Sequence, residues 1–250
     1  MSAPTKSTFL WNNLMTTGMA SCDNTNPTYP CTNLIDEDAS SVTRTNDESG
    51  TTTWLIDLGT SIAFYDTVGI ANHNFSSSGT FQIGRDADNS GWSMTTITMT
   101  ANHYIYYWDD LATTRYIKFT SNETTGDGYH EIGEIYVGKR YECTYNPQIP
   151  MKIIRRSNET HHQTGGSQIW SYVNYTQCGY ELKFIDDVTP AMYASVEEIF
   201  DDRGFGKPFF FNLAPNDSND KVFFSHFEKF DFSIDGKDKR PGTIIIAEEK

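Results

Sequence analysis

The chain has 250 residues, enough for one large or two ordinary domains. Its 33 acidic residues against 19 basic ones give a formal charge of −14, which repels phosphate backbones and anionic lipid and argues against a nucleic-acid role or membrane insertion. Sixteen Phe, 14 Tyr and 5 Trp supply apolar volume for two cores, which argues against a disordered chain.

No run approaches the ~20 apolar residues a membrane helix needs. The start, MSAPTKSTFLWNNLMTTG, lacks the basic segment and continuous apolar core of a signal peptide. The cysteines, Cys22, Cys31, Cys143 and Cys178, form no C-x-x-C pair. Free thiols are the expectation in a cytoplasm, although Cys22 and Cys31 suit a small closed loop in an oxidising medium. The N-x-S/T sequons at Asn74, Asn122, Asn158, Asn174 and Asn216 read as a by-product of a Ser/Thr/Asn-rich composition.

In chain order, residues 1–32 read as an N-terminal arm with a short strand near 9–11. Residues 33–41 form a polar loop with closely spaced carboxylates, and 43–52 an exposed Thr/Ser/Asn-rich loop. Trp54, Ile56 and Leu58 then alternate with Leu55 and Asp57, a strand ended by Gly59. Val68 and Ile70 alternate likewise and run into the polar cluster Asn72-His73-Asn74. Phe81 and Ile83 make the next strand, followed by a turn-rich loop over 84–92. Further strands are predicted around Ile97 and Met99, over 104–108, over 115–119 and over 134–137, with a glycine-containing loop at 121–129. About eight short strands without a helical period predict an antiparallel sandwich or jelly roll.

Pro147 and Pro150 break the chain and mark a boundary. Beyond it, strands are predicted over 151–155, 168–175 and 180–185. A helix follows at about 190–203, capped by Thr189, started by Pro190 and closed by Gly204, with Met192, Val196, Ile199 and Phe200 on one face. Strands over 209–213, 221–225, 227–234 and 243–247 complete a β-rich domain. The expected organisation is thus an arm over 1–32, a jelly roll over 33–145 and a β-rich domain over 146–250 with one packed helix.

Three motifs carry a family resemblance. Asn33-Leu34-Ile35-Asp36-Glu37-Asp38 resembles the early Asn-x-x-Asp-x-Asp loop of the galactose-binding-like fold, the discoidin or coagulation-factor C-type jelly roll. Trp54-Leu55-Ile56-Asp57-Leu58-Gly59 is similar to that family's W-x-x-x-D-L-G strand, one residue shorter. Arg115-Tyr116-Ile117-Lys118-Phe119 and Glu134-Ile135-Tyr136-Val137-Gly138 resemble its closing strands. The strand ending in His73-Asn74, with Arg156-Ser157-Asn158, Lys207-Pro208-Phe209-Phe210-Phe211 and the Asn-Asp-Ser-Asn-Asp run at 216–220, resembles tail-tip proteins of long-tailed bacteriophages.

The jelly-roll resemblance implies carbohydrate binding by loops at one end. The candidate rim is Asn72, His73, Asn74, Arg85, Trp92, Tyr129 and His130, because sugar hydroxyls suit Asn, Arg and His, and sugar ring faces suit aromatics. The other reading of His73 and Asn74 is that they satisfy backbone groups where the strand ends. The resemblance also implies a structural calcium held by Asp36, Asp38, Ser41 and Glu134, hard oxygen donors suited to that ion. Two departures bear on it: Glu37 stands where the family often has glycine, and Ser41-Val42-Thr43 replaces its Thr-x-Trp. No cofactor is required and no catalytic motif is found. His161 and His162, adjacent on a strand, point to opposite faces. The phenylalanine-rich strands of 209–232 are either central in a sandwich or an assembly interface.

The sequence therefore predicts a non-enzymatic tail component, assembled in a host cytoplasm and located in the virion. Its partners would be other tail proteins, further copies in a ring and host-surface glycan. The alternative is a free lectin or the accessory module of a carbohydrate-active system.

Overall fold

The computed structural model describes residues 4–60, 63–77, 79–99, 101–148, 151–163, 169–184, 188–213, 221–233 and 240–249. In chain order the strands are β1 (Thr8–Leu10), β2 (Ala20–Cys22), β3 (Thr43–Arg44), β4 (Thr52–Asp57), β5 (Tyr65–His73), β6 (Phe81–Asp86), β7 (Ser93–Ile97), β8 (His103–Ala112), β9 (Tyr116–Ser121), β10 (Glu131–Gly138) and β11 (Tyr141–Glu142). They continue with β12 (Lys152–Gln163), β13 (Ile169–Phe184), then helix α1 (Pro190–Arg203), β14 (Phe209–Asn212), β15 (Val222–Phe232) and β16 (Gly242–Glu248). A 3-10 turn spans Cys31–Ile35. The protein is mainly β with antiparallel pairing, as expected. Among the described residues no helix is long and apolar enough to cross a membrane.

Contacts divide the chain into two units, Met1–Cys143 with Phe209–Phe224, and Thr144–Pro208 with Ser225–Lys250. The arm and the phenylalanine-rich β14 therefore group with the jelly roll rather than standing apart from it at either side of residue 146.

In the first unit, a four-stranded sheet of order β3-β10-β5-β8 faces a five-stranded sheet of order β2-β4-β9-β6-β7. The alternation in β4 works as the sequence suggests. Thr52, Trp54 and Ile56 are buried, while Thr53, Leu55 and Asp57 are partly exposed. Trp54, Ile56, Val68, Ile70, Phe81, Ile83, Ile117, Phe119, Ile135 and Val137 share one core.

Strands β5 and β10 are buried on both faces, because β1, β14 and the first residues of β15 cover the far side of the four-stranded sheet. Phe9 of β1 pairs with Phe211 and its ring lies 5.7 Å and 4.8 Å from those of Phe209 and Phe211. Phe210 packs against Tyr136 and over Gly69, where an added Cβ would stand 2.6 Å from the phenyl ring. Phe209, Phe210 and Phe211 are all fully buried. They belong to a central strand, and the assembly interface offered as the other reading of this run is not available there.

Residues 46–51 are the mostly exposed loop expected, whereas the two ends of the 43–52 stretch are not. Thr43, Thr45 and Thr52 are buried, with the Thr43 hydroxyl donating to the Pro30 carbonyl and that of Thr45 to the Asp47 carbonyl. A β-branched residue with an internal hydrogen bond is buried at small cost, so composition alone misreads this stretch.

In the second unit, β15 from Ser225 onward pairs with β16, β16 with β13, and β13 with β12. Strand β13 is continuous through Gly179, where two shorter strands were expected. The helix matches expectation closely. Thr189 Oγ1 accepts from the Met192 N–H at 3.2 Å, and the Gly204 N–H donates to the Phe200 carbonyl at 2.6 Å with φ 57°. Met192, Val196 and Ile199 are buried, and the Phe200 ring stacks on Phe230 at 4.5 Å. The 216–220 run and residues 164–168 lie outside the described residues.

Candidate functional site

The acidic loop leads from the 3-10 turn to β3. Glu37 adopts φ 62°, the left-handed conformation that glycine normally serves. Its N–H donates to Glu134 Oε2 at 3.0 Å. Glu134 itself is fully buried, and its Oε1 has no hydrogen-bond partner. Burial first, then the Asp36 carboxylate beside it, pushes the Glu134 carboxyl up to about 10. An orphaned buried carboxyl oxygen next to a second carboxylate is a place where a hard cation would restore the ionised form. Glu134 and Asp36 fit calcium on that ground.

Asp38 fits less well, because its Oδ1 already accepts from the Ser40 N–H and hydroxyl at 3.0 Å and 2.6 Å. Ser41 is held by its N–H on the Asp38 carbonyl at 2.9 Å. Among the described residues no three His, Cys, Asp or Glu side chains converge as a ligand cluster. Loop carbonyls would have to complete the shell.

The end of β5 is used internally. Asn72, at φ 50°, donates from Nδ2 to the Ala39 carbonyl at 2.7 Å. The His73 Nδ1 accepts from the Phe75 N–H at 3.2 Å, and burial lowers its pKa to about 4, so the ring is neutral at pH 7. Asn74 joins two segments. Its Oδ1 accepts from the Glu131 N–H at 2.8 Å, while Nδ2 donates to the Tyr129 carbonyl at 2.8 Å and to Asp127 Oδ2 at 3.1 Å. His130 is fully buried, with Nδ1 2.9 Å from Thr52 Oγ1 and Nε2 2.8 Å from the Glu123 carbonyl. Both nitrogens are engaged, so it cannot meet an external ligand.

The seven residues grouped as one rim do not share one place. His130 contacts Thr52, at the start of β4. Arg85 and Asp86 pair with Ile117 and Tyr116, and Tyr116 pairs with Asp57, at the far end of β4. The two sites are separated by the length of that strand, about 17 Å. Arg85 pairs with Asp110 and lies 5.0 Å from the Trp108 ring centroid. Trp92 covers the Lys118 ammonium at 4.2 Å.

Around Tyr129 the structure assembles a group that sequence reading missed. The Arg44 guanidinium lies 4.3 Å from the Tyr29 ring centroid and 4.6 Å from that of Tyr129. Its Nε donates to Glu131 Oε2 at 2.5 Å, and among the described residues its terminal nitrogens meet no protein acceptor. The arginine side chain is 27% exposed, both tyrosines are half-buried and Asp127 is exposed. Two aromatic rings, a guanidinium with spare donors and a flanking carboxylate can stack on an apolar ring face and hydrogen-bond its hydroxyls. The one local signal for Arg44 is its position between the β-branched Thr43 and Thr45.

Neither protein-family models nor curated protein sequences match this chain. Similar solved structures include a Streptococcus pneumoniae fucose binding module at 15% identity, covering 51% of this chain and 95% of that one, with a TM-score of 0.43. The module CpGH89CBM32-6 produced by Clostridium perfringens is 16% identical over 51% and 99%, with a TM-score of 0.42. A Ruminococcus gnavus GH29 fucosidase in complex with fucose is 23% identical over 52% of this chain and 27% of its own, with a TM-score of 0.44. At such values the likeness carries no argument about activity. The comparisons lend nothing to the tail-tip resemblance.

Proposed function

We propose that the first unit binds carbohydrate at the Tyr29–Arg44–Tyr129 rim, in a binding rather than a catalytic role. The observation that carries this reading is the partly exposed guanidinium held between two tyrosine rings, whose terminal nitrogens meet no protein acceptor among the described residues. The galactose-binding-like motifs of the sequence support it independently. Glu131 orients the guanidinium, Asn74 holds the Tyr129 backbone, and Asp127 offers an acceptor to sugar hydroxyls.

The test is a glycan array with the full chain, followed by titration of the best ligand against Arg44→Ala. Loss of a charge-assisted hydrogen bond and a cation–π contact, about 2–3 kcal/mol, predicts a 30- to 150-fold weaker complex, read on a variant whose circular dichroism shows the wild-type fold. No ligand on the array, or equal affinity in the variant, overturns the reading.

A second reading keeps the protein as a virion tail component. The observation favouring it is the β12–β13 hairpin, whose strands pair only with each other between Asn158 and Gln163, among the described residues. Two-stranded ribbons are marginal alone in water and gain from a partner, here other tail proteins or further copies. Immunolabelled electron microscopy of virions decides it; a particle without label removes this reading.

A further inference from the structure

Cys22 and Cys31 bracket the loop 23–30 that carries Tyr29. Cys22 ends β2, held in register with Trp54 of β4, and Cys31 opens the 3-10 turn. Both side chains are half-buried against the sandwich core. Thr25 ties the two together. Its Oγ1 donates to the Cys22 carbonyl at 2.7 Å and lies 3.4 Å from Cys31 Sγ. The Cys22 thiol donates to the Asp23 carbonyl at 3.0 Å, and the two thiols are near enough to shift each other's pKa in opposite directions. Inside the loop, the Tyr29 N–H donates to the Asn26 carbonyl at 2.9 Å, and the Tyr29 carbonyl accepts from the Arg44 N–H at 3.2 Å. Two cysteines tied through Thr25 at the anchored ends of a short loop need little movement to bond.

We propose that Cys22 and Cys31 form a reversible dithiol–disulfide pair whose oxidation closes loop 23–30 and fixes Tyr29 against Arg44. Cys31 is the attacking sulfur, because the neighbouring Cys22 thiol draws its pKa down to about 7. Its neighbour Cys31, with burial, pushes Cys22 far up in the reduced pair, so Cys22 stays protonated until Cys31 has reacted and that influence is gone. The oxidant is a low-molecular-weight disulfide such as glutathione disulfide. The Cys31 thiolate attacks it, the S–S bond breaks, and one glutathione thiolate leaves. Cys22 then loses its proton to water and attacks the Cys31 sulfur of the mixed disulfide, releasing the second glutathione thiolate. Two protein thiols are oxidised and one disulfide is reduced to two thiols. Cys143 is fully enclosed, with its thiol pushed up to about 12 by burial, and takes no part.

The test treats the full chain with glutathione disulfide, alkylates the remaining thiols and maps the peptides. The expected result is a mass loss of about 2 Da located in a Cys22–Cys31 cross-link, and a melting temperature raised by about 5 °C. Dithiothreitol reverses both, and Cys22→Ser and Cys31→Ser each abolish both. A stable glutathione adduct without an internal cross-link, or a cross-link through Cys143 or Cys178, overturns the pairing. The effect on Tyr29 rests on the carbohydrate reading of the rim and is read separately. The oxidised chain is expected to bind the array ligand several-fold more tightly, and a cross-linked protein of equal affinity overturns that half alone.

Discussion

Glu37 donates its backbone N–H to the buried Glu134 carboxyl at 3.0 Å from a left-handed conformation. One hydrogen bond does not repay the burial of this group, whose pKa stands near 10 against about 4.3 in an unfolded chain. Between those values the folded state keeps a proton that the unfolded state releases. The stabilising difference is complete below about pH 4.3 and is lost progressively as pH rises towards 10. In chelator, the melting temperature is expected to fall between pH 5 and 9, and Glu134→Gln to flatten that fall. Millimolar calcium should raise the wild-type melting temperature most at high pH and leave Glu134→Gln unmoved. Equal slopes for the two proteins in chelator would count against this account.

Trp92 and Tyr129 separate the two ends of the sandwich. Tyr129→Ala removes one face of the Arg44 clamp and is expected to weaken carbohydrate binding about tenfold, whereas Tyr129→Phe keeps the ring and most of the affinity. Trp92→Ala uncovers Lys118, which pairs with Leu55 of β4, and should leave affinity within about twofold. Calorimetric titration of the three variants checks the order; a Trp92→Ala protein that no longer binds would move the site.

The arm is predicted to stabilise the first unit rather than to hang from it. Phe9→Ala empties a fully buried position between Phe209 and Phe211, at about 3–5 kcal/mol. Gly69→Ala forces a methyl group against the Phe210 ring, at about 1–3 kcal/mol. Urea unfolding of both variants is the measurement, and values within 0.5 kcal/mol of wild type would place the arm outside the core.

What sequence reading recovered was local. The alternation of Trp54 and Ile56, and the Thr189 cap and Gly204 stop of α1, each depend on neighbours within a few residues, and the structure bears them out. What it missed was long-range. The partner of the Phe209–Phe211 run is β1, at the other end of the chain, and no local pattern encodes that pairing. The Arg44 clamp draws on three separate stretches, one of them a threonine-rich segment whose composition imitates a loop. On sequence His130 groups with the rim beside Tyr129, yet its ring turns inward, where Thr52 and the Glu123 carbonyl engage both nitrogens.

Asn74 links the two halves of the rim, and its amide is used at both ends. The Oδ1 atom needs the Glu131 N–H, and Nδ2 needs the Tyr129 carbonyl and the Asp127 carboxylate. Asn74→Asp keeps the first bond and replaces a donor with a charged acceptor facing two acceptors. The expected cost is about 2–3 kcal/mol of stability at pH 7, more than for Asn74→Ala, which only leaves the groups unpaired. Repulsion raises the pKa of the introduced carboxyl, so protonation on acidification restores a donor to the Tyr129 carbonyl. The deficit relative to wild type should therefore shrink between pH 7 and pH 4.5, in both melting temperature and carbohydrate affinity. A deficit that stays constant over that range, or an Asn74→Ala protein as impaired as Asn74→Asp, would show that charge at this joint does not govern the rim.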